Sequence, residues 1–187
     1  MYVMYDSVDV DQIPENPHAV AAYVNGSYAN VDKVKERFPD ARILTISVTN
    51  YAVADCFDIE SDDYKPSDAA ELYQDAVRAG VWRPCFYADL SNMPAVKKSL
   101  NTVVKDRKDI RLWVALYDNS AYLPEGYDAK QFTDKALERN LDESICDSTF
   151  FKAAPKKVTQ PVLVSTPKIH ATVEYDPTTD EWVITKL

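Results

Sequence analysis

Short apolar runs, each closed by a turn residue, recur along the first 151 residues and alternate with amphipathic stretches. No other feature restricts the fold as much. Two neighbouring parallel strands need a connection that carries the chain back, usually a helix, so strand–helix alternation implies an α/β architecture. Eight parallel strands are expected near residues 2–6, 20–25, 42–48, 56–60, 84–88, 111–117, 129–132 and 145–148, in one barrel-like sheet. Helices are expected over 32–38, stopped by Pro39, over 67–80, with Ser67 as N-cap and Gly80 at the close, and over 93–104.

After Phe151 the composition changes. The stretch 153–167 (AAPKKVTQPVLVSTP) holds three prolines and two adjacent lysines and reads as a linker. Residues 169–175 and 181–186, around Asp176-Pro177-Thr178-Thr179-Asp180, read as a β-hairpin. A lone hairpin is marginal in water. Ile169, Val173, Tyr175, Trp182 and Ile184 cannot all be buried within it, so it is expected to dock on another chain or stand off as an arm. The expected division is 1–152 barrel, 153–168 Pro-rich linker and 169–187 docking arm.

Composition removes several function classes. Only three glycines occur, Gly26, Gly80 and Gly126, too few and too far apart for a Gly-rich phosphate cradle. The two histidines, His18 and His170, cannot build a His-rich metal site. Cys56, Cys85 and Cys146 are odd in number and lack CxxC spacing, so they are expected as buried, reduced thiols. A net charge of −9 and a pI near 4.7 disfavour binding to nucleic acid or to an anionic membrane surface. No signal peptide and no membrane span is read, so a chain made in the cytoplasm is expected. No cofactor and no metal is expected.

The acids sit at strand ends. Asp6 closes the first strand, Asp58 and Glu60 the run CFDIE, and Asp147 lies within SICDSTF. Strand residues two apart share a face, about 6.5 Å apart along the chain, so Asp58 and Glu60 project together. In a parallel barrel the C-terminal strand ends carry the chemistry. Paired carboxylates suit glycoside hydrolysis, where one gives a proton to the leaving oxygen and the other meets the developing positive charge. Clustered acids also raise one another's pKa, which keeps a proton available. The alternative for Asp58, Glu60, Asp62 and Asp63 is a hard-cation site, although their spacing is not that of a calcium loop.

The order Tyr5-Asp6, Tyr23-Val24-Asn25-Gly26, Phe57-Asp58-Ile59-Glu60, Arg83-Pro84-Cys85-Phe86-Tyr87, Leu112-Trp113-Val114-Ala115-Leu116-Tyr117, Lys130-Gln131-Phe132 and Cys146-Asp147-Ser148-Thr149-Phe150 resembles the glycoside hydrolase family 25 lysozymes. It is most similar to compact variants found in actinobacteria and their phages. The resemblance spans roughly residues 2 to 151 and implies a compact, irregular (β/α) TIM-like barrel, here with a C-terminal β-hairpin arm, acting on peptidoglycan. It implies Glu60 as general acid, Asp58 as partner carboxylate, and Asp6 and Asp147 as the rest of an acidic floor. Tyr28, Tyr87, Trp113, Tyr117 and Gln131 would line the sugar groove. All four acids must then share one mouth, with Glu60 raised by its acidic neighbours, and an Asp147 placed across the molecule would overturn this mechanism. The sequence departs from the family at Cys85, where a Gly is frequent, and at Leu116, where a Gln is frequent. About 150 residues is also short for a barrel that normally takes about 250, so several crossovers must be loops.

Two readings follow. The first is a muramidase-type enzyme hydrolysing bacterial cell-wall glycan. The second is a weak or inactive glycosidase-like module serving as a structural or host-surface-binding part of a phage particle, joined to virion proteins or to its own copies through residues 153–187. Incorporation in a virion or release at lysis would be its fate.

Overall fold

The computed structural model describes residues 1–60, 63–154, 171–176 and 181–186, the last two segments by their backbone. Contacts divide the chain into two units, Met1–Ala154 and Pro155–Leu187.

In the first unit eight strands close into a barrel in chain order: β1 (Tyr2–Asp6), β2 (Ala19–Tyr23), β3 (Arg42–Ser47), β4 (Cys56–Asp58), β5 (Cys85–Asp89), β6 (Arg111–Ala115), β7 (Ala129–Thr133) and β8 (Asp142–Cys146). Helix α1 (Val31–Arg37) connects β2 to β3, α2 (Ala69–Arg78) connects β4 to β5, and α3 (Met93–Leu100) connects β5 to β6. The remaining connections carry no α-helix. The α/β barrel is therefore the compact one expected.

The eighth strand corrects one expectation. β1 to β7 pair in parallel, but β8 runs antiparallel to both β7 and β1 and lies at Asp142–Cys146 rather than 145–148. The segment 134–141 turns the chain back at the mouth, through a single turn at Ala136–Glu138, instead of returning it to the base. The helix limits also move. Asp68, not Ser67, organises the start of α2 by accepting from the Lys65 backbone N–H at 3.0 Å. Helix α3 stops at Leu100.

Strand alternation sorts side chains into two cores. Met4, Ala21, Leu44, Ile46, Cys56, Cys85 and Trp113 belong to the cluster that fills the barrel. Phe57, Ile59, Phe86, Leu112 and Val114 belong to the cluster with Leu72, Ala76, Met93 and Val96 of α2 and α3. Val20 and Ala22 cluster with Val34 of α1. Burying each large side chain contributes about 1.5–3 kcal/mol. All three cysteines are buried and free.

The base of the barrel is tied by polar groups. Asp128 accepts from Arg83 Nη2 at 3.1 Å, from the Leu112 backbone N–H at 2.8 Å and from Arg107. Arg111 donates to the carbonyls of Arg83, Phe150 and Asp55.

In the second unit β9 (Ala171–Asp176) and β10 (Glu181–Lys186) pair antiparallel, from Asp176 opposite Glu181 to Ala171 opposite Lys186. The expected linker from residue 155 on, the turn at 177–180 and the apolar set of the docking arm lie outside the described residues and side chains.

Candidate active site

The inward positions at the C-terminal ends of the parallel strands form one layer. Asp6 ends β1, Tyr23 ends β2, Ile46 lies in β3, Asp58 ends β4, Tyr87 lies in β5 and Gln131 in β7. Glu60 follows two residues after Asp58, on the same face, while Ile59 between them turns outward into the core. The ladder extends this far because Ile59 N donates to Tyr87 O at 2.8 Å. Together with Trp113, Tyr117 and Asp142 these residues line a cavity of about 150 Å³. A second groove of about 610 Å³ shares Tyr23, Asp58 and Glu60 and continues past Asn25, Gly26, Tyr28, Val48 and Asp63. Gly26 serves the groove by its lack of a side chain: its φ is +77°, and a Cβ there would meet Val48 Cγ2 at 2.6 Å.

Asp6, Asp58 and Glu60 thus share one mouth, but Asp147 does not. Because β8 is antiparallel, Cys146 sits opposite Tyr2 and Ala129 at the base, and Asp147 follows it there. Its carboxylate accepts from the Thr149 backbone N–H at 2.7 Å, and that turn holds it below the usual carboxylate range. The four-acid arrangement, and the mechanism in the form that uses Asp147, is therefore wrong. The fourth acid is Asp142, which lies opposite Asp6 in the β1–β8 ladder.

Tyr23 and Asp142 were not singled out from sequence, although alternation held a signal for Asp142. Ser144 and Cys146 are buried, and Asp142 is in phase with them while Asp147 is not. Of the expected groove residues, Trp113 is 1% exposed. It packs on Tyr87 with ring centroids 4.6 Å apart and donates to Ser144 Oγ at 3.0 Å, so it forms floor and offers no stacking face. Tyr117 and Tyr28, 54% and 63% exposed, are the aromatics a sugar ring could reach.

Burial dominates the electrostatics. Asp6 is 3% exposed and Asp58 7%. No hydrogen-bond donor reaches Asp6 Oδ2 or Asp58 Oδ1. Burial pushes both carboxyls well above the usual range. For Asp6 the charge of Asp142 adds to this, and for Asp58 the charges of Glu60 and Asp63. Asp6 and Asp142 lie within hydrogen-bonding reach of each other, which places a shared proton on Asp6 and leaves Asp142 to accept it. Asp142 is itself raised by burial. Glu60 is raised too, first by burial and then by Asp89, Asp63 and Asp142. The direction agrees with the expectation for Glu60, but burial outweighs the acidic neighbours as its cause. Around them Tyr23 and Tyr87 are pushed well up by burial, and Tyr117 to about 12. The site therefore holds protons that isolated carboxyls would lose near pH 4. Asp62, part of the alternative cation set, lies outside the described residues; among those described, no group of three or more His, Cys, Asp or Glu is placed to hold a metal ion.

In fold the chain is similar to an uncharacterized B. stearothermophilus protein, with a TM-score of 0.60 at 12% identity over 81% of this chain and 98% of that one. It is also similar to GHIP, a glycosyl hydrolase 25 of Streptococcus pneumoniae that participates in host cell invasion, with a TM-score of 0.54 at 12% identity over 79% of this chain and 87% of that one. At this identity the likeness is one of fold. No protein-family model and no curated protein matches the chain.

Proposed function

We propose that the chain is a glycoside hydrolase acting on bacterial cell-wall glycan. The observation that carries this is the convergence of Asp58 and Glu60 with Asp6 and Asp142 in one mouth whose burial keeps carboxyls protonated. Likeness in fold to a glycosyl hydrolase 25 protein adds to it. Asp58 and Glu60 act as a pair that holds one proton near neutral pH. Burial favours that proton on Asp58 in the empty site; hydrolysis requires it on Glu60, which then protonates the leaving oxygen. Asp58 then carries the negative charge beneath the developing oxocarbenium ion, in a dry site where such a charge counts most. Tyr117 and Tyr28 offer faces to the sugar rings. Nothing in the fold or in the two neighbours favours association with a phage particle, and this reading leaves it out.

The test is release of reducing sugar from purified peptidoglycan. General acid catalysis contributes about 10²–10⁴-fold, so Glu60→Gln should lose that much rate while staying folded. Equal rates for the two proteins, or no hydrolysis by the wild type, would reject the proposal.

A further inference from the structure

We propose that Lys130 is a positioning residue: by fastening the turn 118–120 it holds the ring of Tyr117 at the edge of the mouth, as a fixed platform for a sugar. The role of Tyr117 toward a sugar rests on the hydrolase reading above; the fastening of its ring by Lys130 does not.

Lys130 is 1% exposed. A lysine is almost never so buried unless it is paired. Its neighbours in β7, Ala129 and Gln131, face the barrel interior and the mouth, so Lys130 points to the outer side of the strand. There it meets the connection that leaves β6. Its ammonium donates to Asp118 Oδ1 at 2.7 Å, to Asp118 Oδ2 at 2.8 Å and to the Ser120 carbonyl at 2.9 Å. An ammonium has three hydrogens, and these three acceptors use them all. Asp118 Oδ1 also accepts from the Ser120 backbone N–H at 2.9 Å, which closes the turn on itself.

Tyr117 lies inside this fastening. The Leu116 N–H donates to the Gln131 carbonyl and the Asn119 N–H to the Phe132 carbonyl, each at 2.9 Å. The Asp118 N–H donates to the Leu116 carbonyl at 2.9 Å, a γ-turn with Tyr117 at its centre. The backbone on both sides of Tyr117 is thus tied to β7, and the side chain that follows it is tied to Lys130. The ring lines the mouth, exposed, with its hydroxyl 3.5 Å from that of Tyr87.

Stability does not account for the lysine. Exchanging a buried ion pair for apolar packing is often neutral or stabilising. The Asp118 side chain is 43% exposed, so water could serve it without Lys130. What the ammonium adds is direction. An apolar side chain at 130 would fill the same space but could not specify where residues 118 and 120 sit. A tyrosine on a loose connection would have to be ordered again each time it met a sugar, and that ordering weakens binding.

The test is ¹⁹F NMR titration of the full chain labelled with 3-fluorotyrosine, with Tyr117 assigned by the signal lost in Tyr117→Phe. In the wild type burial pushes the Tyr117 phenol up, and the charges of Asp142, Glu60 and Asp6 add to the rise. In Lys130→Met the ring should leave the mouth, and its midpoint should fall by about one pH unit toward that of an exposed tyrosine. Loss of the ammonium charge alone would raise that midpoint instead. A general loosening of the mouth would lower Tyr23 along with Tyr117. A rise, a joint fall or an unmoved Tyr117 each overturns the proposal. If Lys130→Met does not fold, Lys130→Gln keeps one donor for Asp118; the Tyr117 midpoint should then fall by less, and a rise or no change again refutes the fastening. Where the wild type hydrolyses glycan, Lys130→Met should raise KM about three- to tenfold, the worth of one aromatic contact, with kcat within about twofold. In a Tyr117→Ala background the same substitution should raise KM no further, and a rise that persists there would show that Lys130 does not act through Tyr117. A wild type that cleaves no glycan rejects the hydrolase reading and leaves the titration outcome intact.

Discussion

Replacing Asp6 by Asn should stabilise the barrel at neutral pH while harming the site. Asp6 is almost fully buried and sits against the charge of Asp142, so its folded pKa is raised well above that of an exposed Asp. The sign follows from linkage. The unfolded chain releases this proton near pH 3.9 and the folded one keeps it, so the wild type loses stability as pH rises above about 4 and goes on losing it until the folded group ionises. The slope is about 1.4 kcal/mol per pH unit for one group. If Asp6 stays protonated up to pH 7, the loss there is about 4 kcal/mol, which is an upper bound set by the pH interval alone. Asparagine has the same shape and can donate to Asp142 as the protonated acid does, but it titrates in neither state. The variant and the wild type should match within about 0.5 kcal/mol at pH 4, and the variant should pull ahead as pH rises, by up to about 4 kcal/mol at pH 7. Urea unfolding followed by circular dichroism at several pH values reads this directly, with unchanged m-values as the check on two-state behaviour. A variant no more stable than wild type at pH 7, or one whose advantage shrinks as pH rises, would refute the assignment of a buried proton to Asp6.

Three further outcomes follow from the geometry. Asp142→Asn should lower hydrolysis by at least about tenfold, while Asp147→Asn, at the base, should leave it within about twofold; the reverse order in a reducing-sugar assay would return Asp147 to the site. Asp128→Ala strands the Leu112 N–H and the Arg83 guanidinium together, so thermal or urea unfolding should show a loss of about 3 kcal/mol or more, with Asp128→Asn recovering part of it by keeping an acceptor. Gly26→Ala forces a side chain into a left-handed backbone and against Val48; it should cost about 2 kcal/mol in the same measurement, and a neutral result would mean that the turn relaxes freely.

Most of the barrel could be read from the chain because its strands are short runs whose two faces are both buried. Residues 42–47 and 111–115 are dense in β-branched or large apolar side chains and end at turn residues. The DxE pair was legible for the same reason, since a two-residue period fixes a shared face in any strand. Strand direction was not legible. The run around 142–147 carries acids at both ends, and its inward set of Asp142, Ser144 and Cys146 is the same whichever way it points. Connection length did not decide it either: 48–55 between β3 and β4 is as short as 134–141, yet it joins a parallel pair. The choice rests on pairing with β1, a contact across almost the whole unit. Tyr23 was missed because an aromatic at a strand end reads as core until the strands around it are placed.

The reversed β8 also decides how the barrel could be rewired. Its final residue, Cys146, lies beside Tyr2, so both ends of the Met1–Ala154 unit leave from the base, away from the mouth. A short peptide could join residue 154 to residue 1, and the chain could be reopened within 134–141. The β8–β1 pairing, now the most distant in sequence, would become a local one, while the neighbouring β7–β8 pairing would take over the long loop. Exchanging one closure for the other leaves contact order nearly unchanged, so the circular permutant should fold at a rate close to that of the parent barrel.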